Sequence, residues 1–405
     1  MNSRALVLLL AFSSLAWAQN PPPPPANAAS APVVAPPAGR LGGPVTGLNT
    51  AQRAAFADGF AAFAQRENAD SGLGPIFNDV SCISCHGNPA PGGGSRRSVV
   101  RFGRVENGVF DSLERLGGPL LQDRALRPEW RERIPAEANV VARRITTPLF
   151  GAGLIEAVPD TTLRALAAKT GKPDGIKGRV SLVIDPVSGV ERVGRFGWKA
   201  QQASLLAFSA DAYANEMGVT NRFFRADNAP NGRLGVLDRA DRILDPEDEA
   251  DPETGKADID RVADYMRLLA PPSRGNPDDA PPLRAGRALF ESLNCAECHT
   301  PALRSGASPI PALAHRTVPL YSDLLLHDMG SLGDGVAQGS AGPREMRTAP
   351  LWGLGLRAVY LHDGRAATLD EAIRAHDGEA AASRARYVRL DEDKRRSLIA
   401  FLRSL

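Results

Sequence analysis

The sequence predicts a mainly α-helical fold made of two similar units, of which the first is enlarged by loops and small β insertions. The motif Cys-x-x-Cys-His occurs once in each half of the chain, at residues 82–86 and 295–299. Each copy follows a stretch with helical apolar spacing, and each half ends on an amphipathic segment. This order, repeated twice, indicates a duplication of one unit.

The N-terminal residues have the pattern of a secretory signal peptide. Arg4 precedes an apolar stretch from Ala5 to Leu15, and Ala16-Trp17-Ala18 forms a small-x-small cleavage site. We therefore predict a signal peptide over residues 1–18 and export to the periplasm. An uncleaved membrane anchor is the alternative, and the short apolar core disfavours it. Residues 19–45 are rich in Pro and Ala and predict a linker outside the fold.

The first unit is predicted over residues 46–272. Helical spacing covers residues 51–65 near its start and Ile259 to Leu269 at its end, where Pro271-Pro272 act as a stop signal. The length between these helices predicts insertions, among them a β-hairpin at 179–193.

The second unit is predicted over residues 281–405, after a linker rich in Pro, Asp and Gly. Its helices are expected at Leu283 to Leu293 and at Ser397 to Leu405. The unit is shorter than the first, and we expect it to contain fewer insertions.

Composition excludes several functions for this chain of 405 residues. It is 43% hydrophobic and 23% charged, as folded globular proteins are. The 48 Lys+Arg residues are balanced by 46 Asp+Glu, so we expect no nucleic-acid partner. No apolar run after the first twenty residues approaches the roughly 20 residues of a membrane span, so none is expected in the mature chain.

All four cysteines belong to the two motifs. Two thiols three positions apart on a helical turn reach the two vinyl groups of one haem, and the adjacent His then lies under the iron. A zinc half-site or a redox dithiol is the alternative, but neither explains two copies that use every cysteine. The sequence therefore predicts two covalent c-type haems, attached at Cys82, Cys85, Cys295 and Cys298, with His86 and His299 as proximal ligands.

The opposite axial ligands differ between the two haems. The chain has six histidines and none between His86 and His299, so the first haem has no second His in its own unit. Met217 and Met266 are the remaining candidates there, although a helical Met more often fills a core. Counting therefore favours an open first haem. The second haem has six candidates, which are His315, His327, Met329, Met346, His362 and His376.

An acidic stretch lies between Leu237 and Asp260. It lacks the spacing of an EF-hand, so a solvated loop is the default expectation and a Ca²⁺ site the alternative. Its acidic residues are Asp245, Glu247, Asp248, Glu249, Asp251 and Glu253.

Five strings of the sequence carry a family resemblance. They are GPIFNDVSCISCHG (74–87), FGWKAQQASL (196–205), NEMGVTN (215–221), LHDMG (326–330) and YLHDGRAATLDEAI (360–373). Together they resemble the di-haem oxidoreductase, putative peroxidase family, also called thiol oxidoreductase-like, over about Thr50 to Leu405. The resemblance implies a wider group with bacterial di-haem cytochrome c peroxidases, MauG-type enzymes and rubber oxygenases. In that group one haem is open to peroxide or oxygen, and the other stores and relays electrons.

The resemblance also implies roles for particular residues. The segment at 362–372 is followed in the wider group by the distal ligand, which here points to His376, with Met329 as the second candidate. A Trp between the haems and a Gln/Glu pair in the peroxide pocket correspond loosely to Trp198, Gln201 and Glu216. The alternative is that these are a buried Trp and surface polar groups of a helix.

The duplication offers a second test of the ligand assignment. Setting Thr368-Leu369 against Ser204-Leu205 places Trp198 opposite His362 and Ala212 opposite His376. The first unit thus has a side chain that cannot bind metal where the second has its predicted ligand. This frame brings seven residues towards the open haem or the gap between haems: Trp198, Lys199, Gln201, Gln202, Asp211, Tyr213 and Glu216.

These predictions combine into a di-haem peroxidase. Hydrogen peroxide binds the open first haem, Glu216 or Asp211 moves its proton, and the second haem relays electrons from a redox protein such as a small cytochrome. Two alternatives remain open, an electron-transfer cytochrome with both haems closed and an oxygenase similar to rubber oxygenases.

Overall fold

The computed structural model describes residues 34–274 and 280–405. The predicted signal peptide and the first part of the predicted linker lie outside the described residues. Helix accounts for 35% and strand for 15% of the structure. Within the described ranges, no helix is both long enough and apolar enough to cross a membrane.

Among the described residues, seven α-helices belong to the first half of the chain and four to the second. In the first half they are α1 (Thr50–Ala64), α2 (Cys82–Cys85), α3 (Ala152–Glu156), α4 (Asp160–Ala167), α5 (Leu205–Ala212), α6 (Leu234–Ala240) and α7 (Asp258–Leu268). In the second half they are α8 (Pro281–Ser292), α9 (Leu369–Ala375), α10 (Ala381–Val388) and α11 (Glu392–Arg403).

The strands are short and form several small antiparallel sheets. The first half contains β1 (Ile76–Phe77), β2 (Ser98–Glu106), β3 (Val109–Asp111), β4 (Leu120–Leu121), β5 (Arg124–Ala125), β6 (Val140–Ile145), β7 (Ser181–Ile184) and β8 (Glu191–Gly194). The second half contains β9 (Leu303–Arg304), β10 (Thr317–Val318), β11 (Leu326–Asp328) and β12 (Glu345–Arg347).

The largest sheet among the described residues lies in the first half. Strand β2 pairs with β3, β4 and β6. Strands β7 and β8 form a separate hairpin where the sequence predicts one, with Ser181 opposite Gly194 and Ile184 opposite Glu191. These two sheets account for part of the greater length of the first half.

Each half is closed by the same crossing of two helices. Helix α1 crosses α7 at Gly59, where a Cβ atom would collide with the carbonyl oxygen of Arg261. Helix α8 crosses α11 at Gly286, where a Cβ atom would collide with the carbonyl oxygen of Ser397. In the first half, one turn beyond Gly59 on α1, the Phe63 ring packs on the Tyr265 ring of α7 with centroids 4.7 Å apart. Glycine is therefore required at both crossings, because only it permits this approach of the backbones.

A second repeated segment packs against each closing helix. Residues 145–153 (ITTPLFGAG) and 347–355 (RTAPLWGLG) share Thr-x-Pro-Leu-aromatic-Gly-x-Gly. The last glycine of each lies against the closing helix, Gly153 against the carbonyl of Arg267 and Gly355 against that of Arg403. The sequence prediction did not identify this repeat, although it is visible in the residues.

The folded chain begins before the predicted boundary at residue 46. Pro44 forms a β-bridge with Leu269, and the amide of Val45 donates to the carbonyl of Leu268 at 2.8 Å. Val45 is buried in the first core. Pro44 and Val45 therefore contact the end of α7 from the linker side of the predicted boundary.

Candidate functional site

Each Cys-x-x-Cys-His motif opens onto a large cavity. Cavity one has an empty volume of about 1140 Å³, and cavity two of about 1360 Å³, their mouths included. Cavity one is lined by Cys82, Cys85, His86, Gln201, Asp211, Ala212, Glu216, Met217 and Met266, among others. Cavity two is lined by Cys295, Cys298, His299, His327, Met329, Met346, His362 and His376, among others.

The histidines of both motifs are held in the same way. His86 Nδ1 donates to the carbonyl of Gly93, and His299 Nδ1 donates to the carbonyl of Tyr321, each at 3.1 Å. Burial lowers the pKa of both imidazoles to about 4, so both are neutral near pH 7. A neutral imidazole with Nδ1 occupied leaves Nε2 free to bind a metal. Both rings meet the requirements of a haem ligand.

His376 faces His299 across cavity two. It lies at the C-terminal end of α9, where its Nδ1 donates to the carbonyl of Ala372 at 2.8 Å. The His299 and His376 ring centroids are 6.5 Å apart. Two imidazoles on opposite sides of one metal, with metal–nitrogen bonds of about 2 Å, have centroids about 6.4 Å apart. The residues of cavity two therefore fit a haem iron held between these two rings.

The other candidate ligands of cavity two differ in availability. Met329 and Met346 line the cavity. Both ring nitrogens of His327 are engaged, Nδ1 with Glu379 at 2.7 Å and Nε2 with Asp323 at 3.0 Å. His315 is exposed and lies outside the cavity walls. His327 and His315 are thus unsuited to bind a metal in this cavity.

Helix α5 in cavity one is the counterpart of α9 in cavity two. The Ser204 hydroxyl caps α5 and the Thr368 hydroxyl caps α9, each accepting from the amide three residues on. In this register Ala212 corresponds to His376, and both line their cavities. The other corresponding pairs that line both cavities are Gly197/Leu361, Trp198/His362, Phe208/Ala372, Ser209/Ile373 and Glu216/Ala380.

A π-helical turn follows α5 and places a carboxyl group in cavity one. The turn covers Tyr213–Met217. Turns of this kind are rare in proteins, and those that occur often lie at functional sites. Glu216 lies in this turn and accepts from Asn78 Nδ2 at 2.8 Å. Asp211, one turn earlier, accepts from Asn215 Nδ2 at 3.0 Å. Burial raises the pKa of both carboxyl groups, so each holds a proton more tightly than an exposed carboxyl group does.

Two more polar residues of cavity one escaped the sequence prediction. Asn78 and Arg101 both line the cavity, and the buried Nε of Arg101 has no hydrogen-bond partner within the described ranges. Arg101 comes from β2, which no motif connects with the haem region. Gln201 also lines cavity one, and its Oε1 accepts from the amide of Lys199 at 3.3 Å.

The two methionines of cavity one have different settings. Met266 lies on α7, at the position that Leu402 occupies on α11, and both line their cavities. This correspondence favours packing as the role of Met266. Met217 ends the π-helical turn and is buried in the cavity wall.

Trp198 lies between the two cavities and lines both. Its indole Nε1 donates to the carbonyl of Ile145 at 2.9 Å. Its ring meets the His362 ring edge-on, with centroids 6.2 Å apart. The indole is thus fixed at the junction of the two halves.

The backbone at this junction has an approximate two-fold symmetry. The amide of Ile145 donates to the carbonyl of His362 at 2.7 Å, and the amide of Arg347 donates to the carbonyl of Trp198 at 2.9 Å. Ile145 corresponds to Arg347 in one repeat, and Trp198 corresponds to His362 in the other. Equivalent groups therefore exchange equivalent bonds, as in the interface of a symmetric dimer.

The acidic stretch is largely the solvated loop expected by default, since four of its six named acidic residues are exposed. Carboxylate oxygens of Asp227, Asp241 and Glu247 lie within 4.8 Å of one another. Only Glu247 belongs to the acidic residues named from the sequence. Asp248 instead accepts from the amides of Asp258 and Ile259 at the start of α7, at 2.7 and 3.2 Å.

Two cavities lie beside each other in the described residues, and each contains a neutral histidine that can bind a metal. The model of the family described as di-haem oxidoreductase, putative peroxidase matches residues 129–405, and the chain belongs to this family. The match includes the second Cys-x-x-Cys-His motif and stops short of the first. A comparison with curated proteins found no match.

Solved structures with remote similarity include di-haem proteins. Hydrazine synthase from Kuenenia stuttgartiensis is 14% identical with a TM-score of 0.37, over 96% of this chain and 100% of that one. The diheme peroxidase BthA from Burkholderia thailandensis is 16% identical with a TM-score of 0.32, over 86% of this chain and 88% of that one. A MauG-like protein associated with microbial copper homeostasis is 19% identical with a TM-score of 0.31, over 68% and 91% of the two chains.

Proposed function

We propose that this chain is an exported di-haem c-type peroxidase, with an open haem in cavity one and a closed haem in cavity two. Cys82 and Cys85 would hold the first haem, with His86 as its proximal ligand. Cys295 and Cys298 would hold the second, between His299 and His376. Haem iron supplies a site that binds peroxide in the open cavity and a store of electrons in the closed one.

The observation that carries this proposal is the correspondence of α5 and α9. The same helical position faces both cavities, and it is His376 in one and Ala212 in the other. A methyl group cannot bind a metal, so cavity one keeps room for a small ligand opposite His86. The difference between the cavities thus supports one haem for electron transfer and one for chemistry.

The buried carboxyl groups of cavity one are suited to move a proton. Reduction of hydrogen peroxide consumes two protons and two electrons and releases two molecules of water. Glu216 would take a proton from one peroxide oxygen and return it to the other, so that the O–O bond breaks with water as the leaving group. Asn78 holds Glu216 in place through a 2.8 Å hydrogen bond. Asp211 and Gln201 complete the polar wall.

Trp198 would connect the two cavities for electron transfer. Its position in both walls and its bond to Ile145 support a relay between the haems. The electrons would come from a redox protein such as a small cytochrome, which fits the predicted export to the periplasm.

An electron-transfer cytochrome is the second candidate function. It is favoured by one observation, the burial of Met217 in the wall of cavity one. A Met217 thioether bound to the first haem would close that haem and raise its potential.

The substitution Ala212→His tests the proposal directly. It supplies an imidazole at the position from which His376 faces cavity two, and we expect the first haem to become low-spin and unreactive towards peroxide. Ala212→Leu is the matched control, because it fills the cavity without a ligand. Electron paramagnetic resonance and stopped-flow mixing with peroxide measure both effects. A high-spin first haem that still reacts in Ala212→His, or a low-spin first haem in the unsubstituted protein, would contradict the proposal.

A further inference from the structure

Two arginines in the wall of cavity two, the buried Arg347 and the half-buried Arg357, have no carboxylate partner within residues 34–274 and 280–405. Arg347 is 7% exposed, and its Nε and Nη1 donate to the carbonyls of Gly197 and Thr348 at 2.7 and 3.3 Å. Arg357 Nη2 donates to the carbonyl of Pro350 at 2.8 Å. The Nε of Arg357 is buried and has no partner in the same ranges. Both side chains also line a smaller cleft beside Trp198.

Both side chains carry a charge at neutral pH. Burial lowers the pKa of each guanidinium to about 10, and the neighbouring Arg357 contributes to the lowering at Arg347. A cation taken out of water costs several kcal/mol unless an anion balances it, and carbonyl dipoles balance it only in part. Two such cations in one cavity wall therefore call for an anion that the described residues do not supply.

Other buried cations in the described ranges do have an acidic partner. Arg144 pairs with Asp334 at 2.7 Å, and Arg195 pairs with Asp160. In the corresponding repeat of the first half, Ile145 and Ile155 occupy the positions of Arg347 and Arg357. The arginine pair is therefore specific to cavity two and is not required by the fold of the repeat.

We propose that Arg347 and Arg357 form a carboxylate-binding site that takes the propionates of the haem in cavity two. The inference rests on the proposed function. Guanidinium groups bind carboxylates through parallel N–H donors, and two arginines match the two propionates of one haem. The site places these carboxylates on the side of cavity two that faces Trp198.

The proposed site also connects the haem with Trp198. The amide of Arg347 donates to the carbonyl of Trp198, and its side chain donates to the carbonyl of Gly197. A carboxylate held by Arg347 is thus joined to the backbone that positions the indole. The two cations also favour the reduced haem, because reduction removes one positive charge from the iron.

The substitution Arg357→Gln tests this site on the haem-loaded protein. We expect a lower reduction potential of the low-spin haem in spectroelectrochemistry and a shifted propionate bending band in its resonance Raman spectrum. Arg357→Lys retains the charge without the planar fork, and we expect it to restore the potential but leave the band shifted. Arg389→Gln removes an exposed charge and serves as the control.

The outcomes separate this inference from the proposed function. A loaded Arg357→Gln protein with the potential and Raman band of the Arg389→Gln control would overturn the carboxylate site alone. If Arg357→Gln does not take up haem, the Raman band of Arg357→Lys decides, and an unshifted band would overturn the site. An unsubstituted protein without a low-spin haem would overturn the proposed function itself.

Discussion

A buried ion network joins the two halves of the chain and gives a quantitative prediction. Asp334, from the second half, is 1% exposed and lies 2.7 Å from Arg144 Nε and 3.0 Å from Lys199 Nζ, both from the first half. Burial alone would raise the pKa of Asp334, but the two cations outweigh it and the pKa is lowered. Burial lowers the pKa of Lys199 to about 8, so the ammonium remains protonated at neutral pH.

The substitution Asp334→Asn keeps the shape of the side chain and removes its charge. Loss of one partner from a buried pair costs about 3–5 kcal/mol, and we expect the upper end because two cations lose their counter-ion. With an unfolding entropy of about 2.1 cal/mol/K per residue over 405 residues, each kcal/mol shifts the melting temperature by about 1.2 °C, so it should fall by about 6 °C. Asp334 raises the pKa of Lys199, so in the variant this pKa falls further and the native state releases the ammonium proton at a lower pH. The deficit should therefore shrink as pH rises towards the Lys199 pKa of the unsubstituted protein, because over that range only the variant's native state binds fewer protons than its unfolded state.

Differential scanning calorimetry of the two proteins at several pH values measures this effect. Glu392→Gln is the control, because Glu392 is 82% exposed and its pair with Arg396 lies on the surface. Exposed pairs contribute no more than about 1 kcal/mol. If the Asp334→Asn protein has the same melting temperature as the Glu392→Gln control, the reasoning that this network stabilises the junction is refuted.

Three further predictions concern the cavities and the acidic cluster. His376→Ala should make the second haem high-spin without loss of covalent haem, as measured by electron paramagnetic resonance; an unchanged low-spin signal would move the ligand assignment to Met329. Glu216→Gln should slow the reaction with peroxide by about 10²–10⁴-fold in stopped-flow measurements, because it removes the proton carrier, while peroxide reactivity at the original rate would assign the role elsewhere. Burial raises the pKa of Asp227 to about 7 and that of Glu247 to about 8, with repulsion from neighbouring carboxylates contributing. Since these raised values mean that the native state binds more protons, stability should fall as pH rises from about 5 to 8, and added Ca²⁺ should reverse the fall in a thermal shift assay; a melting temperature indifferent to Ca²⁺ would argue against a cation site.

Much of the helical framework follows from the sequence because its signals are local. Apolar spacing located α1, α7, α8 and α11 to within a few residues, and the largest difference is at α11. There Asp391 caps the helix with a hydrogen bond to the amide of Lys394, so the helix begins before its apolar face does. The hairpin of β7 and β8 likewise follows from a local turn signal.

The cavities depend on contacts that local patterns do not contain. The correspondence of Ala212 with His376 could be stated from the sequence, because Ser204 and Thr368 are recognisable helix caps. The position of Arg101 in cavity one could not be predicted from the sequence, because this residue comes from strand β2, which no motif connects with the cavity. The arginine pair at 347 and 357 became visible only when the fold placed both side chains in the wall of cavity two without an acidic partner among the described residues. The repeat at 145–153 and 347–355 could have been found by comparing the two halves of the sequence. Its recognition would have paired Arg347 with Ile145, and both residues lie at the junction of the two halves.

The central claim is that one haem is open and the other closed, and electron paramagnetic resonance of the oxidised protein tests it most directly. The account predicts one high-spin and one low-spin ferric haem, with the high-spin signal consumed when hydrogen peroxide is added. Two low-spin haems that ignore peroxide, both as isolated and after partial reduction, would contradict it and favour an electron carrier with Met217 bound to the first haem.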